Sequence, residues 1–153
     1  MNRINRYELV GKALLKRHRI TVKTYRGNMS GVAYLEDRVI SAPRPVKPLP
    51  FAIFAHEVGH IVNGHIKPRW LEELRAWQFS LQQFRESGLR IPHDVKRRMR
   101  FSLAYALAKA LNRGMKSIPK ELWVYKKYLS PITYLYGDGH KEQKWHADYS
   151  KTK

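Results

Sequence analysis

The chain of 153 residues is long enough for a domain with a buried core, and its 43% hydrophobic content favours a globular fold over disorder. Because it has no cysteine, disulfides and thiolate metal sites are excluded, and any metal must be held by histidine or carboxylate side chains. Its 30 lysine and arginine residues against 12 acidic residues give a net charge of +18, which favours polyanionic partners such as DNA or RNA.

Membrane and secretion signals are missing from the sequence. The first twenty residues lack the apolar segment of a signal peptide, and no stretch has the apolar length needed to span a bilayer. We therefore expect a cytoplasmic protein without a membrane span. There is no internal repeat and no linker of the kind that separates domains, so the sequence predicts a single domain over residues 1–153.

The N-terminal third predicts one helix and a small sheet. Residues 5–17 repeat leucine and alanine at helical spacing, which predicts a helix. Residues 20–26 are rich in β-branched and aromatic side chains and predict a strand, and two short strands follow on either side of residues 36–38. We therefore expect an antiparallel sheet of about three strands. The four prolines of residues 43–50 predict an extended connector.

Three longer helices are predicted after the connector, at residues 50–64, 68–88 and 92–113, and a short one at 119–128. Glycine at or just after the end of each longer segment suits a helix terminus. One face of the second segment carries large apolar residues at heptad spacing, which predicts a buried stripe. The stripe consists of Trp70, Leu74, Trp77, Leu81 and Phe84.

The first of these helices contains the sequence FAIFAHEVGHIVNGH, residues 51–65. On a helix, His56 and His60 lie one turn apart on the same face and can direct both imidazoles at one ion. Glu57 lies about 100° around the helix from His56, where it can reach a water on that ion rather than the ion itself. The flanking residues are apolar, so the helix is predicted to be buried, and buried polar side chains need partners. The pattern predicts a zinc site with Glu57 as general base; the alternative is a chance match of core histidines.

A catalytic zinc site needs a third protein ligand, and the candidates are His65, Glu72 and Glu73. His65 lies beyond the expected end of its helix. Glu73 borders the buried stripe of the next helix, whereas Glu72 is expected to point away from the stripe, so Glu73 is the favoured ligand. The alternative for Glu73 is a surface carboxylate paired with Arg69 or Lys67.

The order of these elements resembles the ImmA/IrrE-like zinc metallopeptidases, which are gluzincin-type enzymes. The resemblance covers about residues 20–84: short strands, a proline-containing connector, His-Glu-Val-Gly-His, and a following helix with Glu-Leu-Arg-Ala at 73–76. It implies an α+β, zincin-like domain in which a small antiparallel sheet packs with the active-site helix and two to three further helices. It also implies one zinc per chain on His56, His60 and Glu73. Members often cleave a repressor or regulator, commonly in phages and mobile elements, which implies a protein substrate of that kind.

Two positions depart from the pattern of that family. Arg75 stands where the family usually has glutamate, and Trp77 stands where it has asparagine or aspartate. The Leu-Leu-Met-Pro continuation is also missing. These departures indicate a divergent branch, and they bear on the third ligand more than on the two histidines.

A basic cluster opens the third long helix, and further lysines alternate with aromatic residues after it. Such residues can contact phosphates and stack on bases, which would give non-specific binding to DNA or RNA. The alternative is that the aromatic side chains pack inward and the lysines are solvated. The basic cluster consists of Lys96, Arg97, Arg98 and Arg100.

The sequence thus predicts a zinc-dependent metallopeptidase that acts on a protein target, such as a regulator or a nucleic-acid-associated protein. One alternative is a basic nucleic-acid-binding or regulatory protein with a structural, non-catalytic metal site. Another is a hydrolase of non-peptide amides. Several side chains remain open for stabilising the oxyanion. They are His93, Tyr105, Tyr134, His140 and His146.

Overall fold

The computed structural model describes residues 5–135 and 141–152, and the chain divides into two compact units after Val95. The predicted α+β class is confirmed, with a three-stranded and a two-stranded sheet among the described elements. The assignment of residues 1–153 to a single domain stays a prediction. Among the described residues, no helix combines the length and the apolar character that crossing a membrane requires.

The first unit opens with helix α1, Arg6–His18. The side chain of Asn5 accepts a hydrogen bond of 3.0 Å from the backbone N–H of Glu8, so one of the free amides of the first turn is satisfied. Arg19 ends the helix in the left-handed conformation, with φ of 55°. The chain then turns directly into the sheet.

The three-stranded sheet consists of β1 (Thr21–Arg26), β2 (Val32–Tyr34) and β3 (Val39–Pro43), in the order β1-β3-β2. β3 pairs antiparallel with β2 but parallel with β1, so the prediction of an antiparallel sheet was wrong and the sheet is mixed. The chain reverses direction before β2 and again before β3, and two reversals restore the direction of β1. Because β3 is central, β2 forms one edge of the sheet.

Helix α2, Pro48–Asn63, begins two residues earlier than predicted. Pro48 and Pro50 both fit the first turn, where a backbone N–H has no helical acceptor. Gly64 follows the helix with φ of 72°, a conformation that glycine adopts without strain. Helix α3 is Arg69–Glu86, and its predicted apolar stripe is buried at four of five positions. These are Leu74, Trp77, Leu81 and Phe84.

Two close contacts set the position of α3 against α2. The buried hydroxyl of Ser80 donates a hydrogen bond of 2.7 Å to the backbone carbonyl of Ala52. At Gly59 an added Cβ would lie 3.0 Å from the Cβ of Phe79, so the glycine lets α3 approach closely. Together these contacts bring the first turn of α3 beside the histidines of α2.

The second unit contains most of α4 (His93–Asn112), which begins at the end of the first unit. The short helix predicted at 119–128 is a 3₁₀ helix, Lys120–Tyr128. Strands β4 (Leu129–Leu135) and β5 (Lys141–Ala147) then pair antiparallel, and a last 3₁₀ turn, Tyr149–Thr152, follows. For residues 130–152 the sequence makes no structural prediction. The side chain of Asn112 holds the end of α4 to β5 through two hydrogen bonds of 2.8 Å with the backbone of Trp145.

Candidate metal centre

The two histidines of α2 face each other at the centre of the first unit. Their Nε2 atoms lie 3.1 Å apart, and both residues are buried, as is Glu57 between them. One donor atom from each of His56, Glu57 and His60 lies within 4.8 Å of the other two, so the three form a group that could hold a metal ion. The predicted burial of this helix face is confirmed, with exposed fractions of 8%, 6% and 5%.

The carboxylate of Glu73 reaches the same point from α3. Its Oε2 atom lies 3.2 Å from Nε2 of His56, and its Oε1 atom lies 3.2 Å from Nε2 of His60. Glu73 therefore bridges the two imidazoles, whereas the nearest carboxylate oxygen of Glu57 is 4.0 Å from Nε2 of His56. The structure thus brings together the four residues on which the sequence prediction of the zinc site depends.

This donor set fits a tetrahedral divalent metal. Bonds of about 2.0–2.1 Å at tetrahedral angles place neighbouring donors roughly 3.3 Å apart. The 3.1 Å between the two Nε2 atoms, and the 3.2 Å from each Nε2 atom to a different oxygen of Glu73, are close to that value. Two imidazolium rings would direct protons at each other across the short distance between the Nε2 atoms, so at least one nitrogen presents a lone pair. Imidazole nitrogens and carboxylate oxygens are donors that divalent transition metals accept.

Glu72 lies on the other side of His60 from Glu73. The sequence predicts that Glu72 points away from the buried stripe, but in the structure Glu72 is buried. It is only 7% exposed, and its Oε1 atom lies 3.6 Å from Nδ1 of His60. The reason is the loop before α3, whose backbone N–H at Ile66 donates to Glu72 at 3.2 Å and covers it. Arg69 pairs with both glutamates, at 2.5 Å from Glu72 and 3.1 Å from Glu73. The third candidate, His65, is exposed beyond the end of α2.

Burial and charge act against each other in the cluster. Burial alone would raise the pKa of Glu73, but hydrogen bonds from His56 and His60 hold it well below its usual range. Burial would lower the pKa of His60, but the hydrogen bond to Glu73 and the surrounding carboxylates raise it. Burial raises the pKa of Glu57 against the opposing charges of the two histidines. Glu57 is thereby a better proton acceptor than an exposed glutamate.

Gly31 is a residue of this site that the sequence analysis does not identify, because its pattern, GNMSG at residues 27–31, indicates only a turn. It directly precedes β2, and a Cβ added there would lie 2.6 Å from Cγ and 3.0 Å from Cδ of Glu57. The only signal in the sequence was a glycine at each end of a five-residue turn, which does not distinguish the two. The bare backbone at Gly31 leaves the room that the Glu57 side chain occupies.

Under the hypothesis of a zinc metallopeptidase from the sequence, Gly31→Ala is expected to lower kcat for the zinc-loaded protein by roughly 10- to 100-fold, because a displacement of about 1 Å can cost that much. The methyl group would push against the Glu57 side chain and would also lie 3.2 Å from the backbone carbonyl of Ser41; no histidine is among its three nearest atoms, so bound zinc should be unchanged. Gly27→Ala is the matched control, because nothing lies within 4 Å of its added Cβ. Equal kcat for the two variants, measured with equal zinc content, would show that Glu57 is not constrained at this contact.

The predicted nucleic-acid residues do not form one exposed face. Lys96 is exposed, but Arg97, Arg98 and Arg100 are half-buried. The guanidinium of Arg97 lies 4.6 Å from the centre of the Tyr149 ring, a packing contact within the second unit. A role of this cluster in binding nucleic acid stays a prediction.

The candidate oxyanion-stabilising residues stay predictions. His140 and the side chain of Tyr134 lie outside the described residues. Tyr105 is 50% exposed, and Nδ1 of His146 lies 2.9 Å from the carbonyl of Ser130 within the second unit. His93 is exposed at the start of α4.

The site is thus a buried metal-binding group with His-Glu-x-x-His spacing on a helix of an α+β protein. No protein-family model, curated protein or solved structure matches the chain.

Proposed function

We propose that this protein is a zinc-dependent metallopeptidase, a divergent relative of the ImmA/IrrE-like enzymes, that hydrolyses peptide bonds in a protein target. One observation carries the proposal: Nε2 of His56, Nε2 of His60 and the carboxylate of Glu73 converge at 3.1–3.2 Å from one another. In this proposal the three residues hold one zinc per chain. Two nitrogens and one carboxylate are a ligand set found in catalytic zinc sites that keep a position open for water.

Glu57 acts as the general base. Bound zinc would supply a water activated for attack and would polarise the peptide carbonyl. Glu57 accepts the proton of the attacking water and passes it to the amine nitrogen as the C–N bond breaks. Its distance of 4.0 Å from Nε2 of His56, against 3.2 Å for Glu73, supports a role beside the metal rather than on it. The raised pKa of Glu57, caused by burial, supports the same role.

The edge of the sheet supports a peptide as substrate. β2 is an edge strand, and Gly31 at its start contacts Glu57. An extended polypeptide that pairs with the outer edge of β2 would therefore run past the catalytic carboxylate. A small non-peptide amide would gain nothing from this edge, so the position of β2 favours peptide hydrolysis over the hydrolysis of other amides.

The proposal is tested by incubating the zinc-loaded protein with an unfolded protein mixture and identifying new chain termini by mass spectrometry. We expect cleavage that disappears when zinc is removed with a chelator and returns when zinc is added. A protein that holds zinc stoichiometrically and cleaves nothing in the mixture would instead support the alternative, a structural metal in a regulatory protein.

The charge of the chain favours a second, compatible proposal: its target lies close to DNA or RNA, which the protein contacts without sequence specificity. The net charge is +18, and Trp123, 56% exposed, lies between Lys120 and Lys126 on the 3₁₀ helix. An exposed indole among lysines can stack on a base while the lysines contact phosphates.

Replacing both Lys96 and Arg98 with alanine is expected to reduce the slope of log K against log salt by about one for each lost phosphate contact. Fluorescence anisotropy with a labelled single-stranded oligonucleotide measures that slope. Lys12→Ala on α1 is the control, because this lysine already lies 3.9 Å from the carboxylate of Glu8. An unchanged slope in the double variant would remove the α4 cluster from the proposed contact.

A further inference from the structure

The two histidines are supported differently on the side away from Glu73. Nδ1 of His60 faces the carboxylate of Glu72 at 3.6 Å. Nδ1 of His56 is buried and has no hydrogen-bond partner among the described residues. A metal-binding imidazole carries its proton on the other ring nitrogen and usually donates it to a carboxylate, a carbonyl or a water. His56 would therefore bind zinc with a buried N–H for which the surrounding side chains provide no acceptor.

Trp77 packs directly against the ring of His56. It lies one helical turn after Glu73 on α3, and its ring centre is 4.6 Å from that of His56. The indole is 2% exposed, and its own Nε1 is buried and without a partner among the described residues. Because an indole N–H only donates, Trp77 can pack against the imidazole but cannot accept its proton.

We propose that Trp77 is a positioning residue that fixes the His56 ring by packing and, by withholding an acceptor, weakens the zinc site. The inference rests on the proposed zinc site. An unpaired buried N–H is costly, and losing such an outer partner typically weakens metal binding about 10- to 100-fold. Zinc occupancy would then fall at free zinc concentrations at which a site whose two histidines both have a hydrogen-bond acceptor would stay loaded. Trp77 thus sets how readily the protein gains and loses its metal.

A matched pair of variants, Trp77→Asn and Trp77→Leu, tests the inference. Both side chains are of similar size and leave a similar cavity, but only the asparagine carbonyl can accept a proton from Nδ1 of His56. Competition with a chromophoric zinc chelator gives each affinity, and thermal unfolding of the metal-free variants compares their packing. We expect Trp77→Asn to bind zinc roughly 10- to 100-fold more tightly than Trp77→Leu. Equal affinities would overturn the inference, and a wild-type protein that binds no zinc would overturn the proposed function itself.

If either variant fails to fold, a measurement on the wild-type protein tests the same inference. In zinc-loaded protein with ¹⁵N-labelled histidine, the Nδ1 proton of His56 should lack the downfield shift of a hydrogen-bonded imidazole. An imidazole N–H that donates to a carboxylate shows that shift, and the Nδ1 proton of His60, 3.6 Å from Glu72, is the comparison within the same site. A His56 proton as far downfield as that of His60 would show that an acceptor is present and would overturn the inference.

Discussion

Glu57→Gln is expected to lower kcat for peptide hydrolysis by about 10²- to 10⁴-fold while zinc stays bound. Glutamine keeps the shape of the side chain, but its amide cannot take a proton from water at neutral pH. The carboxylate of Glu57 is 4.0 Å from the nearest histidine nitrogen and outside the 3.1–3.2 Å group, so its charge can be removed without losing a ligand. Single-turnover kinetics with a cleaved peptide and metal analysis by mass spectrometry measure the two quantities separately.

Glu86→Gln provides the control for this substitution. It makes the same chemical change, from carboxylate to amide, at an exposed position at the end of α3. Its kcat should equal that of the wild type. Full activity in Glu57→Gln would exclude Glu57 as the base and would favour the reading in which the metal is structural. Loss of zinc together with activity would instead place Glu57 among the ligands.

The histidine pair could be predicted from the sequence because helical geometry alone places residues four apart on one face. For the third ligand, the sequence could only reduce the candidates to a few residues, since the contact of Glu73 with both histidines depends on how α3 packs on α2. That packing is set by contacts such as Ser80 with Ala52 and Phe79 with Gly59, which join residues far apart in sequence. The burial of Glu72 depends in turn on a loop backbone at Ile66, and a helical wheel does not represent loops.

The three-stranded sheet was also predictable only in part. Local pattern identified its three strands, but not that β3 (Val39–Pro43) lies between β1 and β2, because strand order is a non-local property. The contact of Gly31 with Glu57 follows from that order and could not be predicted either. The two-stranded sheet of the second unit escaped prediction because its sequence, rich in Tyr, Gly, His and Lys, lacks a clear alternation of apolar and polar residues.

His60→Ala is expected to abolish stoichiometric zinc binding, and with it the stabilisation that zinc gives the fold. Wild-type protein supplied with zinc should carry about one zinc per chain. A ligand present at 100 times its Kd stabilises a protein by about 2.7 kcal/mol, so a chelator should lower the free energy of unfolding of the wild type by roughly that amount. The chelator should leave His60→Ala unchanged. Denaturant titrations with and without chelator measure the difference.

His65→Ala is the matched control, because His65 lies five residues further along but is exposed beyond the end of α2. It should keep both its zinc and its response to the chelator. If His65→Ala lost zinc while His60→Ala kept it, the ligand set taken from α2 would be wrong. If folded wild-type protein took up no zinc at all, His56 and His60 would be core histidines joined to Glu73 by hydrogen bonds. The net charge of +18 would then become the leading indication of function, and it would point to polyanion binding without hydrolysis.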